Sequence, residues 1–200
     1  IPTKNDNYFV CMRLCSIQDN RFAYRKNVLP TSMHPSQAAL IVSLAKPYLK
    51  ETAQIMDPFC GVGTLLIERA HLVPAREIYA TDTYGDAITM GRENAAFAKT
   101  RINFIHRDFF DFRHDYKFDE LITDMPVRNR QTKAEMELFY ERFFDKAAEH
   151  LVSGGIIVMY SNEIGFVKKQ IRLRVEYRLL QETCILDKKD FYLFVIRYED

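Results

Sequence analysis

Apolar and polar positions follow two periods along this chain, and the switches between them mark its elements. The stretch "SMHPSQAALIVSLAKPYL" puts Ile41, Leu44, Ala45 and Tyr48 at i, i+3, i+4 and i+7. That spacing predicts a helix burying one face, with Ser32 as its cap. Beyond it, short apolar runs and helical stretches take turns. "QIMDPF" (54–59) reads as a buried strand, residues 64–72 as a helix, "EIYATD" (77–82) as a strand and 84–99 as a helix. "INFIHRD" (102–108) and "FDELITDMP" (118–126) follow as strands, the second stopped by Pro126, which has no N–H for a ladder. Met136, Phe139, Tyr140, Phe143, Phe144, Ala147 and Leu151 then keep helical spacing, and Gly154-Gly155 is expected to end that helix. "IIVMYS" (156–161), a helix over 163–172, and the strands "YRLLQETCIL" (177–186) and "DFYLFVIRY" (190–198) close the chain.

Such alternation implies an α/β fold with a mostly parallel sheet and helices on both faces. The last two runs are joined by a short turn at 187–189, so they must pair antiparallel. Ahead of this unit, "YFVCMRLCSIQDNRFAYRKNVL" alternates well enough to predict a β-hairpin turning near Asp19-Asn20. The expected organisation is therefore an extension over 1–30 and one α/β domain over 31–200.

Composition narrows this picture little. Two hundred residues, 48% of them apolar, suffice for one sizeable core. A net charge of +1 exerts no global pull toward nucleic acid or membrane, so any such pull comes from local patches. The four cysteines are scattered without metal-ligand spacing, which points to reduced thiols in a cytoplasmic protein and to no metal site. No apolar run reaches the ~18 residues of a membrane span. The start at Ile1 is taken as the mark of a piece of a longer protein.

Candidate chemistry gathers at "DPFCGVGT", residues 57–64. A phosphate loop is excluded, because no Lys or Arg lies between Asp57 and Glu68. A dinucleotide turn would carry a third glycine where Leu66 stands. Three acids at successive strand ends, Asp57, Asp82 and Asp108, are expected at the carboxyl edge of the sheet, where ligands of open α/β sheets bind. An acid leading into the glycine turn repels pyrophosphate and suits a cation. S-adenosylmethionine offers an ammonium, a sulfonium, a ribose and an adenine. Asp57 and the turn through Phe59, Cys60, Gly61, Gly63 and Thr64 would face its methionine end. Asp82 and Thr83 would meet the ribose, and Asp108 with Phe109 the adenine.

At this point the chain resembles the class I, Rossmann-like S-adenosylmethionine-dependent methyltransferases, whose hallmark is a seven-stranded sheet with an antiparallel last strand. "MDPFCGVGTLLIERA" and "FAYRKNVLPTSMHPSQAALIVSLA" resemble, more narrowly, the THUMP-associated RNA methyltransferases, which modify guanine N2 in tRNA or rRNA. The resemblance runs from about residue 8 to residue 198. It implies an upstream THUMP-containing RNA-binding module in the full-length protein. The reactive motif of that group is Asn/Asp-Pro-Pro-aromatic, often continuing Gly-x-Arg. Here Asp124-Met125-Pro126-Val127-Arg128-Asn129-Arg130 takes its place, so methionine replaces the first proline and valine the aromatic.

An exocyclic amine is a weak nucleophile because its lone pair is delocalised into the base. Asp124 and the carbonyl of Met125 would hold its two N–H groups and aim the lone pair at the methyl. Val127 cannot stack on a base, so Tyr160 or Phe166 is expected to supply the ring. Arg128, Arg130 and Lys133 beside the pocket would meet RNA phosphates, and Lys168, Lys169, Arg172, Arg174 and Arg178 form a second basic stretch. His34 belongs to the helix entry, although Ser32 and His34 could approach the cofactor or target. The resemblance thus implies an RNA guanine-N2 methyltransferase. The alternatives are adenine-N6 methylation, a non-catalytic module binding S-adenosylmethionine and RNA, and an NAD-dependent enzyme.

Overall fold

The computed structural model describes residues 20–186 and 190–200. Among them, seven strands form one sheet: β1 (Gln54–Asp57), β2 (Glu77–Asp82), β3 (Asn103–His106), β4 (Phe118–Asp124), β5 (Leu151–Ser161), β6 (Tyr177–Leu186) and β7 (Phe191–Tyr198). Their order is β3-β2-β1-β4-β5-β7-β6. The first five pair in parallel, and β7 runs antiparallel to both β5 and β6. The helices are α1 (Pro35–Ala45), α2 (Thr64–Leu72), α3 (Gly85–Phe97), α4 (Lys133–His150) and α5 (Ile164–Leu173).

The period of two along each strand separates two cores. Ile55, Ile122, Val158 and Val195 pack with Ile41, Leu66 and Ile88 of α1, α2 and α3. Their neighbours Met56, Leu121, Ile157 and Phe194 pack with Phe143, Phe144 and Val167 of α4 and α5. Both faces are therefore dry, which is why the central strands read as unbroken apolar runs. The strand order reverses between β1 and β4, leaving a crevice beyond their carboxyl ends.

Three local expectations need correction. His34, not Ser32, caps α1: Pro35 takes the first helical position and His34 Nδ1 accepts from the Ser36 amide, while Ser32 Oγ accepts from the Leu29 amide instead. The helix α4 opens on a reciprocal capping box of Thr132 and Glu135 and ends at His150, before the glycine pair. Leu151 already pairs with Phe118, and Gly154, at φ 79°, lies in the irregularity where the β4–β5 register shifts. The first arm of the expected hairpin, residues 8–19, and the turn at 187–189 lie outside the described residues. Its second arm is no strand: residues 21–24 form a turn that buries Tyr24, whose hydroxyl donates to Glu68 of α2.

Candidate active site

The crevice between β1 and β4 is a cavity of about 560 Å³. That lies within the ~300–1,000 Å³ typical of small-molecule sites. Asp57, the last residue of β1, is 1% exposed, and its Oδ1 accepts from the Phe59 amide at 3.0 Å. Asp82, the last residue of β2, accepts from the Gly61 amide and the Tyr84 amide, each at 2.8 Å. It therefore pins the glycine turn while each oxygen keeps a lone pair for a ligand hydroxyl. Gly61 (φ 50°) and Gly63 (φ 78°) adopt the left-handed conformation that glycine takes without penalty. At Gly63 a Cβ would also lie 2.8 Å from the Phe104 ring, so the turn excludes a side chain there twice over.

The electrostatics of the cavity favour a cation. Burial pushes the Asp57 carboxyl up to about 8, the neighbouring Asp124 and Asp82 push the same way, and the Phe59 amide only partly opposes them. Burial likewise holds the Asp124 carboxyl at about 7. A positive ligand would relieve both. Thr64, at the first position of α2, is buried on the cavity wall, and its hydroxyl has no hydrogen-bond partner among the described residues. Three carboxylates, left-handed glycines and an unpaired hydroxyl fit the ammonium, sulfonium and ribose of S-adenosylmethionine. The Cys60 thiol is buried and pushed well above its ordinary pKa, so it is no nucleophile. Among the described residues, no group of three or more His, Cys, Asp or Glu side chains could hold a metal.

The structure gathers most of the residues singled out from sequence, though not all. Asp57, Phe59, Cys60, Gly61, Thr64, Asp82, Asp124, Met125, Pro126, Val127 and Arg128 line the one cavity. Gly63 stands behind it as the residue preceding α2. Thr83 is exposed beyond the rim, and its carbonyl accepts from His106 Nε2 at 2.9 Å. Asp108 caps a short 3₁₀ turn by accepting from the Phe110 amide, and it does not line the cavity. Phe109 is a correction: its ring is 1% exposed, edge-on beneath Phe59, so it cannot lie against an adenine.

The acceptor loop leaves β4 at Asp124. The Met125 amide donates to the Tyr160 carbonyl at 2.9 Å, and the Met125 side chain sits in the α4–α5 core, which explains how methionine substitutes for proline here. Val127 is half exposed at the rim. Neither ring expected to replace an aromatic at this position faces the cavity. Tyr160 is buried, stacked on Phe191 at 4.8 Å, and its hydroxyl accepts from Gln37; Phe166 is buried against Tyr140. Arg128 meets Glu163 at 3.6 Å, while Arg130 and Lys133 lie outside the cavity. The second basic stretch is largely neutralised locally: Lys168 meets Glu182, Lys169 meets Glu137 and Arg174 meets Asp145.

Ser32 lines the opposite wall as the sequence allowed, while His34 does not, and sequence reasoning missed the rest of that wall, Leu29, Thr31 and Met33. It also missed what holds that wall. The buried Asn94 carboxamide of α3 accepts from the Lys26 and Asn27 amides at 3.0 and 2.9 Å and donates to the carbonyls of Asn27 and, at 3.4 Å, Val62. The signal was present in the pattern: Asn94 falls on the helix face of Ala87, Ile88, Gly91 and Ala95, where a polar residue needs a dedicated partner.

Comparison with known proteins identifies a family and a fold. Residues 23–183 match a family described as "RMKL-like, methyltransferase domain". The tRNA (guanine(10)-N2)-dimethyltransferase of Methanothermobacter thermautotrophicus is 31% identical over 187 residues, covering 88% of this chain and 54% of that protein. The release factor glutamine methyltransferase of Lactococcus lactis is 25% identical over 155 residues, covering 68% of this chain and 56% of that protein. The crystal structure of TrmN from Thermus thermophilus superposes with a TM-score of 0.73 at 22% identity, over 90% of this chain and 52% of that one, a likeness of fold. The chain thus spans about half the length of these three relatives.

Proposed function

This chain belongs to the RMKL-like methyltransferase-domain family, and from that premise we propose that it methylates guanine N2 of an RNA, rRNA or tRNA, with S-adenosylmethionine as cofactor. The observation that carries this reading is the meeting, in one cavity, of a cation-favouring cofactor turn with Asp124 at the end of β4. When bound, the cofactor supplies an electrophilic methyl group. The protein's part is positional. Asp82 would hold the ribose hydroxyls, and Asp57 with the Phe59–Gly63 backbone and Thr64 the methionine end. Asp124 and the Met125 carbonyl would each accept one N–H of the base amine, turning its lone pair toward the cofactor half. The amine becomes acidic once methylated, so its proton can leave to solvent without a dedicated base. Arg128 would meet the RNA backbone at the rim. The proposal includes an upstream RNA-binding module of the THUMP type in the full-length protein and a cytoplasmic setting. Among the described residues, no helix is long and apolar enough to cross a membrane.

The exposed Val127, where an aromatic would grip the base, favours one second reading: a module that binds cofactor and RNA without transfer. Calorimetric titration with S-adenosylmethionine and NAD, on the wild type and an Asp82→Ala variant, tests the cofactor half. Selective binding of S-adenosylmethionine that weakens about 10²–10⁴-fold in the variant is expected, since two hydrogen bonds to a charged acceptor are lost. Labelled methyl incorporation into transcribed tRNA and rRNA, read out as the modified nucleoside, tests the rest. N2-methylguanosine is expected. N6-methyladenosine would overturn the acceptor, and cofactor binding without incorporation into either RNA by the full-length protein would establish the non-catalytic reading.

A further inference from the structure

A second concavity, of about 330 Å³, opens at the opposite edge of the sheet, between the α2–β2 and α3–β3 connections. His71, Arg76, Lys99 and Arg101 line it, with Glu77 as its one acid. Glu77 is already engaged by the Tyr79 hydroxyl at 2.9 Å. Among the described residues, Arg76, Lys99 and Arg101 have no ion-pair partner, although all three are exposed. The 168–174 stretch and the core differ. Three cations of the 168–174 stretch each meet an acid, and the buried Arg69 is matched by Glu120 at 2.8 Å. Like charges converging on one hollow repel each other, so the arrangement favours an anion that fills it.

Lys99 adds an independent observation. It sits just past the α3 terminus at φ 55°, a conformation that suits glycine and strains lysine. The cation thus stands where the backbone would be easier without a side chain. The charge then continues along the edge strand β3, from Arg101 before it to the exposed Arg107 after it. Six residues of extended chain at about 3.3 Å each span about 20 Å. Exposed rings flank both ends of this line: Phe97, with Lys26 Nζ 5.6 Å from its centroid, and Tyr84, beside Asp82 at the mouth of the active-site cavity.

We propose that this concavity and the β3 edge form a phosphate-binding track, which takes RNA backbone from the amino edge of the sheet toward the acceptor cavity. The inference rests on the RNA reading above for its ligand, but for its site on three cations that meet no carboxylate, of which Arg76 donates to Gln54 at 2.9 Å, and on a lysine at positive φ. Interleaved cations and aromatics are the pattern by which proteins follow a nucleic-acid strand without reading its sequence.

The test uses the 200-residue chain, transcribed tRNA and tripolyphosphate. An Arg76→Gln/Lys99→Gly/Arg101→Gln variant should bind tRNA on the order of 10–100-fold more weakly at physiological salt, with a log–log salt slope shallower by about 2–3. Its S-adenosylmethionine affinity should be unchanged, and a Lys168→Gln/Lys169→Gln/Arg172→Gln control that also removes three charges should bind tRNA like the wild type. Lys99→Gly alone should leave the fold as stable or more stable while weakening tRNA binding, a pair of signs that a structural role does not give. Tripolyphosphate should shift the amide resonances of Arg76, Lys99 and Arg101. Unchanged tRNA affinity and slope together with unshifted resonances overturn the proposal, as does aggregation of the triple variant with RNA binding intact, which would mean that the cations only keep the edge strand from pairing. Shifted resonances with unchanged tRNA binding would keep the phosphate chemistry and assign the site to a free phosphate compound. Should the wild type bind no tRNA at all, the RNA reading fails separately and the tripolyphosphate shifts alone decide the site.

Discussion

In the cofactor half of the active-site cavity the backbone is tied at almost every step, whereas in the acceptor half it is tied at Met125 and then runs exposed. Phe59 donates to Asp57, Cys60 to the Thr81 carbonyl, Gly61 to Asp82 and Gly63 to the Cys60 carbonyl, while Thr81 Oγ1 donates to the Pro58 carbonyl. From Val127 to Arg130 every residue is exposed, and the amides of Asn129 and Arg130 find only the Gln131 side chain. The difference follows from what each half must do. Buried carboxylates at raised pKa keep their places only in a rigid frame, and the same ligand is expected there on every turnover. The acceptor half must let a base in and out, so its specificity rests on a few side chains over a loosely held loop.

The largest expected effect separates the halves directly. Asp124→Ala should slow transfer about 10²–10³-fold, in line with removing one charge-stabilising group, while cofactor affinity is little changed. Asp124→Asn keeps an acceptor oxygen and should retain part of the activity. Because burial holds the Asp124 carboxyl at about 7, the wild-type rate should rise as pH passes through that value and the carboxylate forms. The Asn variant should lose that rise. If it titrates like the wild type, the group that controls the rate lies elsewhere, and Asp124 is not the amine's acceptor.

Asn94→Ala comes next and tests whether the 29–33 wall belongs to the cofactor half. It strips partners from the Lys26 and Asn27 amides and from the carbonyls of Asn27 and Val62. A loss of about 2–4 kcal/mol in urea denaturation is expected, because buried groups are left unpaired. Cofactor affinity should fall as well, since Val62 belongs to the glycine turn. Weakened stability with intact cofactor binding would detach the wall from the turn.

These contrasts also explain what was legible in the sequence. The boundaries of α2, β2 and β6 follow from apolar periodicity alone, because the two cores require alternate faces of each strand. The glycine turn is equally legible, since positive φ and the closeness of Phe104 admit little besides glycine at position 63. What periodicity does not carry is long-range polar contact. The Asn94 clamp joins residues 67 or 68 positions apart, and the Phe109 ring is swallowed by aromatics arriving from α4. The end of α4 lies before the glycine pair because those glycines serve a register shift within β5, a use that looks the same in sequence as a helix stop.

A smaller effect concerns pH and the cofactor-free chain. The Asp57 pKa is about 8 when folded against 3.8 for the free side chain, so the folded state holds a proton that the unfolded state has released. Its stabilising contribution is complete below the unfolded pKa and is lost as pH rises through about 8, and Asp124 adds in the same direction up to about 7. The melting temperature should therefore fall between pH 5 and pH 8.5. With S-adenosylmethionine present the fall should be shallower, because a cation beside Asp57 favours the carboxylate. Asp57→Asn should flatten the cofactor-free profile. An equal slope with and without the cofactor would mean that its positive groups lie away from Asp57.

The smallest expected change is a gain, and it addresses the loose half. Val127 is 52% exposed at the rim, beside Pro126 and Arg128, at the place where the resembling motif carries an aromatic. A tyrosine there has room to stand in solvent, so Val127→Tyr should leave stability and cofactor affinity unchanged. Stacking on an extruded base is worth about 1–3 kcal/mol, less the cost of ordering the ring. With ~1.4 kcal/mol per tenfold, the KM for RNA should drop by a few-fold to about tenfold. A drop in KM at constant kcat would mean that valine binds the base weakly but in the right place. A rise in kcat as well would mean that the wild-type loop lets the amine wander, and that looseness in the acceptor half limits the rate. No change in either would show that position 127 does not face the base, and the stack would then have to come from outside residues 124–130.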